Sequence, residues 1–216
     1  DFVSGNIWAL LPDEPQPVLL VESGMNIASF GRGNDGELYV VDHMSGALYR
    51  LAQPDGAERR FPGRLSETGC FDPRDPRHPV AGMIPYDVNV PLWSDGTRKA
   101  RWMAIPDGTT ITVEEDGDWT FPVGTVLAKH FAFGCRLVET RLFVRHDDGG
   151  WAGYTFEWNA EQTDAFLLAD EKRVEIDGRT WVFPSRAQCM QCHTAAAGRA
   201  LGPETAQLDR EIFWPT

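Results

Sequence analysis

Nowhere in this chain do eighteen apolar residues follow one another, so no segment has the length and apolarity of a membrane-spanning helix. Positive charge is scarce as well: 20 Lys and Arg stand against 32 Asp and Glu, a net charge of −12. That balance excludes nucleic acid or anionic lipid as the main partner, because either would be repelled by such a surface. There is no nucleophile elbow, no Walker loop and no two-histidine metal signature, which removes the commonest hydrolase, nucleotide and zinc-protease chemistries. "DGDWT" and "PLWSDG" place acidic oxygens near turns, but without the ligand order of an EF-hand. The chain opens on Asp1, with no initiator methionine and no basic-then-apolar leader. The expectation is a mature chain or a piece of a longer one.

Apolar material is not lacking. Hydrophobic residues make up 42% and aromatics 11%, with eight Trp and twelve Phe, enough for one large packed domain or two small ones. Trp93, Trp102, Trp119, Trp151, Trp158 and Trp181 could line a carbohydrate face or a cofactor pocket, against the ordinary reading of aromatic core packing.

Cysteine is sparse, at four residues, and two of the four lie together in "RAQCMQCHTAA". Cys189, Cys192 and His193 have the form Cys-x-x-Cys-His. Two thiols at this spacing can form thioethers to the two vinyl groups of a haem, with the adjacent imidazole as the proximal iron ligand. A redox dithiol or half of a zinc site would not need the histidine there. All four cysteines on one zinc is the main rival, weakened because Cys70 and Cys135 lie far apart and belong to no second Cys-x-x-Cys knuckle. Covalent haem attachment implies an oxidising compartment, the bacterial periplasm or outside, where Cys70 and Cys135 could also pair as a disulfide. The acidic surface suits a basic redox partner, or simply keeps a secreted protein in solution.

Only 23 residues follow His193, and they contain neither Met nor His. If this chain itself supplies a sixth iron ligand, it comes from upstream: Met25, Met44, Met83, Met103, His43, His78, His130 or His146. Met103 in "RARWMAIP" and His130 in "VLAKHFAF" sit at strand positions and are the foremost candidates; an open iron position is the alternative. Arg186, three residues before Cys189, and Arg141 in "ETRLF" could neutralise haem propionates, or could make ordinary surface ion pairs.

The chain reads as mainly β. Residues 1–52 contain short runs ("NIWALL", "PVLLVE", "NIASFG", "ELYVVDH", "ALYRLA") that predict a four-stranded, propeller-blade-like sheet. Such a sheet should pack an apolar face, with Trp8, Phe30, Tyr39 and Tyr49, against the rest of the chain or another subunit. Residues 53–90 are rich in Pro, Gly and Asp and read as a connector with little regular structure. Residues 91–216 then form a β domain, an antiparallel sandwich or barrel over 91–182, followed by short helices around the haem motif, one of them beginning after Pro203.

Several stretches together, "SFGRGNDGELYVVDHMSGALYRL", "LSETGCFDP", "GMIPYDVNVPLWSDGTRKARWMAIPDG", "FPVGTVLAKHF", "LVETRLFVRHDDGGWAGYTFEWNAEQTDAFLL" and "FPSRAQCMQCHTAAAGRALGPETAQLDR", resemble bacterial periplasmic c-type cytochromes. The group is one often fused behind a propeller similar to that of pyrroloquinoline-quinone-dependent sugar (glucose/sorbosone) dehydrogenases. The resemblance runs from about residue 5 to residue 213, with only the last blade and a monohaem β domain present. It implies one covalent haem c on Cys189 and Cys192, with His193 as proximal ligand. It also implies electron transfer with a partner such as a quinone-dependent dehydrogenase or another cytochrome. No catalytic residue of the dehydrogenase carries over. The competing classes are a haem enzyme, peroxidase- or oxygenase-like, with an open iron position, and a carbohydrate- or partner-binding β domain with accessory haem.

Overall fold

The structure is a computed structural model that describes residues 2–10, 16–34, 36–52 and 61–211. The fold is mainly β and antiparallel, with short helices confined to the C-terminal end. No helix among the described residues is long and apolar enough to cross a membrane.

The N-terminal strands are β1 (Asn6–Ala9), β2 (Val18–Glu22), β3 (Ile27–Arg32), β4 (Leu38–Asp42) and β5 (Leu48–Arg50). They form a two-stranded ribbon, β1–β2, and a three-stranded meander, β3–β4–β5, where the sequence predicts a single four-stranded blade. Both enclose a small core of Ile7, Ile27 and Val40. Of the two surfaces expected to cover an apolar face, the rest of this chain does not cover Trp8, Phe30 or Tyr49. Trp8, Phe30 and Tyr49 are exposed, and the observed ties to the rest of the chain are polar. Asn6 Nδ2 donates to Asp170 Oδ1 at 3.2 Å, and Arg186 donates to the Glu22 carbonyl at 3.1 Å.

Residues 61–90 are more ordered than their composition implies. They hold β6 (Phe71–Asp72), β7 (Asp75–Pro79) and β8 (Ile84–Tyr86), with a 3₁₀ turn at Leu65–Glu67. Then follow β9 (Arg98–Ala104), β10 (Thr112–Val113), β11 (Trp119–Thr120), β12 (Val126–Phe133), β13 (Arg136–Arg145) and β14 (Trp151–Trp158). The last strands are β15 (Ala165–Leu167), β16 (Lys172–Ile176) and β17 (Arg179–Phe183), before the helices α1 (Arg186–Cys192) and α2 (Thr205–Leu208).

The scaffold is one open six-stranded sheet in the order β15-β14-β13-β12-β9-β8. Side chains alternate between its two faces, so register decides which residues can meet. One face packs on the 61–83 segment, where Leu65, Phe71 and Met83 meet Ala128, Leu142, Phe156 and Trp158. Completely burying an aromatic such as Phe71 or Phe156 contributes roughly 1.5–3 kcal/mol. The segment read as a connector is thus a layer of the core. The other face packs Met103, Leu127 and Phe143 on Tyr86, Val88, Phe121 and Ala200, while Phe131 meets Trp181 of the β16–β17 hairpin. With both faces covered, β14 reads "WAGYTFEW" without a strict alternation of polar and apolar residues. Helix α2 is shorter than the pattern after Pro203 predicts, and residues 212–214 of that pattern lie outside the described residues.

Candidate functional site

The Cys-x-x-Cys-His segment sits at the second of these faces. Helix α1 starts in a capping box: the Ser185 hydroxyl accepts from the Gln188 backbone N–H, and the Gln188 carboxamide oxygen accepts from the Ser185 N–H. It ends at Cys192, with His193 as the C-cap, so the imidazole leaves the helix just as the chain turns. Cys189 and Cys192 are one helical turn apart and project to neighbouring positions of the helix surface.

Cys189 lies against the sheet. A Cβ placed on Gly153 of β14 would meet the Cys189 Cβ and Sγ at 2.7 Å each, so only glycine admits the helix this close. Burial, with Glu139 nearby, pushes the Cys189 thiol up to about 11, although Arg141 and Thr155 pull the other way. Reactive redox cysteines have depressed pKa values, so this thiol is not poised as a thiolate. Cys192 is exposed.

His193 is packed on Phe143, ring centroids 4.2 Å apart, and Phe143 in turn stacks on Trp151. Its Nδ1 is 2.6 Å from the Arg199 carbonyl oxygen. That bond fixes the tautomer with the proton on Nδ1, which leaves Nε2 as the atom with a free lone pair. Burial, together with Lys129, Arg141 and Arg199, lowers the His193 pKa to about 4. The imidazole is neutral at pH 7, the form a metal requires.

Of the two arginines predicted to serve propionates, Arg141 is beside the motif, but its guanidinium grips the buried carboxylate of Glu139. The distances are Nε to Oε1 2.5 Å and Nη2 to Oε2 3.0 Å. Arg186 bonds the Glu22 carbonyl and stacks over Tyr154, 4.6 Å from the ring centroid, so its guanidinium is engaged by the N-terminal ribbon and by Tyr154.

The two foremost sixth-ligand candidates separate by face. His130 is a correction. It lies on the face opposite His193, enclosed by Phe71, Trp102 and Trp158, with Nδ1 2.7 Å from the Thr140 hydroxyl. Met103 stands on the same face as His193, in register with Leu127 and, one strand further, with Phe143. Met83 is buried on the opposite face, and His78 is exposed beside Asp75. Met25, Met44 and His146 line a cleft of about 560 Å³ beside the motif, together with Trp151, Met190 and Arg199. No feature of the sequence pointed to this meeting of the N-terminal ribbon and α1, because the two are more than 160 residues apart.

The Cys70–Cys135 bridge is not formed. Cys70 is buried on the face away from the motif, and Cys135 is exposed in the β12–β13 turn. The same separation dissolves the four-cysteine zinc alternative. Among the described residues no group of three or more His, Cys, Asp or Glu converges in a way that could hold a metal. The tryptophans form no flat binding face: Trp158 and Trp181 are core residues, and Trp93 stands exposed in a loop.

A comparison with family models, with curated proteins and with solved structures finds no match to this chain.

Proposed function

We propose that this protein is a monohaem c-type cytochrome that transfers electrons in the bacterial periplasm. The observation that carries the reading is the arrangement of Cys189, Cys192 and His193. Two thiols lie one helical turn apart, and the next residue is a neutral imidazole whose Nδ1 is tied to a backbone carbonyl. A free Nε2 lone pair beside two thiols matches the donor set of a covalent haem, and it fits a redox dithiol poorly because the Cys189 thiol is raised.

In this reading Cys189 and Cys192 would hold the macrocycle by thioethers, and His193 would be an iron ligand. The haem supplies a one-electron couple. The chain supplies position and environment. Gly153 lets α1 seat against the sheet, Phe143 walls the imidazole, and the Arg199 carbonyl raises the basicity of the ligand. Met103 remains the strand candidate for a further iron ligand, and Met25, Met44 and His146 line the cleft beside the motif. A basic redox partner, such as a quinone-dependent dehydrogenase or another cytochrome, fits the net charge of −12.

The test is the visible spectrum of protein matured in an oxidising compartment with haem-attachment machinery. A sharp α band in the reduced, low-spin state is expected for electron transfer, and a high-spin spectrum would assign the haem-enzyme class instead. His193→Ala should abolish the parent spectrum while the far-UV β signal persists. An unchanged spectrum in that variant would remove His193 from the iron.

A further inference from the structure

On the sheet face that carries Cys189, one transverse row of register positions reads Thr155, Arg141, Lys129, Arg101, Tyr86, on five consecutive strands from β14 to β8. Like charges directly opposite one another on paired strands destabilise a sheet, yet three cations occupy adjacent places here. Lys99 adds a fourth, two residues before Arg101 on the same side of β9.

Internal compensation is partial. Arg141 is paired with Glu139, and Arg101 Nη1 is 2.8 Å from Asp87 Oδ1. Lys129, between them, has the Leu201 carbonyl at 3.5 Å and, among the described residues, no carboxylate at ion-pair distance. Burial, with Arg101, Arg141 and Lys99 close by, lowers Lys129 to about 8. At the far end, the hydroxyl of Tyr86 is buried with no hydrogen-bond partner among the described residues. A buried donor left in this state is a cost to the fold. Surface solubility does not explain a row of adjacent cations across one sheet face of an acidic protein. Folds break local rules chiefly where function requires it.

We infer that this row is a carboxylate-binding site, and that its occupants are the propionates of the haem whose vinyl groups are held by Cys189 and Cys192. The inference rests on the cytochrome reading above. Vinyl and propionate groups leave a porphyrin at different places on its rim, so the thiols and the cations must be set apart across the ring. The row satisfies this. It begins at Thr155, beside Cys189, and runs away from it; at about 4.8 Å between strands, Lys129 is about 10 Å and Arg101 about 14 Å along. Two carboxylates would give Lys129 its missing counter-charge and the Tyr86 hydroxyl its missing acceptor. Arg141, already committed to Glu139, contributes by charge.

The test uses the holoprotein and three variants, Lys129→Gln, Arg101→Gln and Tyr86→Phe, with Arg77→Gln on the opposite face as control. Tyr86→Phe removes only a hydroxyl that has no partner among the described residues, so it keeps the fold. Intact mass should show haem retained in all, since the thioethers are untouched. The midpoint potential should fall in Lys129→Gln and Arg101→Gln, because a lost cation favours the ferric state, and should hold in Arg77→Gln. The propionate-bending bands in the resonance Raman spectrum should shift in all three row variants. Retained haem with parental potential and parental propionate bands would overturn the inference alone. A parental potential that follows added phosphate or acetate at constant ionic strength, and loses that response in Lys129→Gln, would assign the row to a solution anion and overturn it equally. A parent without haem overturns the cytochrome reading and this inference together.

Discussion

The backbone of Gly153 and the side chain of Cys189 are packed so closely that no Cβ fits between them; one would lie 2.7 Å from both the Cβ and the Sγ of Cys189. The contact fixes the height of α1 over β14, and with it the position of His193 against Phe143. Gly153→Ala should therefore cost about 1–3 kcal/mol, the range for overpacking a filled site. Thermal unfolding would measure it. Cys189→Ala in the same chain should recover part of the loss, giving a non-additive pair. If Gly153→Ala melts with the parent, the helix is not seated on the sheet as described.

His130 supplies a pH signature. Burial lowers its pKa from the ordinary 6.5 to about 3, partly offset by the Arg77 backbone. As pH falls, the unfolded chain takes up this proton first. The stability linked to the neutral ring is full above pH 6.5 and is lost progressively down to about 3. The slope is at most about 1.4 kcal/mol per pH unit. His130→Phe should lose the Thr140 hydrogen bond but flatten this acid slope relative to the parent. Urea titrations between pH 4 and 7 would compare the two, and parallel curves would place His130 outside the core.

The scaffold was legible where strands are long. "VLAKHFAF" and "RLVETRLFVRH" carry a β pattern that survives as β12 and β13. Residues 61–90 were not, because their strands are two to five residues long, too short to display a period amid Pro and Gly turn signals. The motif itself was legible, since Cys189, Cys192 and His193 adjoin in sequence. Its surroundings were not. Met103 and His130 have equal sequence credentials, and only strand register shows that they occupy opposite faces. The partner of Arg186 was hidden for a related reason: its acceptor, the carbonyl of Glu22, is 164 residues away. The row of cations is likewise assembled from separate strands, β13, β12 and β9, none of which looks unusual alone.

The two cysteines outside the motif should behave as free thiols of opposite reactivity. Cys135 is exposed and should alkylate at once in the native protein. Cys70 is buried, burial raises its pKa, and it should react only on unfolding. Mass spectrometry after native and denaturing alkylation would count them. A parent that resists alkylation at both positions until reduced would establish the disulfide that the structure lacks.

The central claim is that Cys189 and Cys192 carry a haem, and the intact mass of the protein tests it most directly. Protein matured where haem attachment operates should exceed its polypeptide mass by one haem and keep that mass through acid–acetone extraction. The Cys189→Ala, Cys192→Ala double variant should return the bare polypeptide. A parent with the bare polypeptide mass, or one that binds zinc in place of haem, would contradict the account.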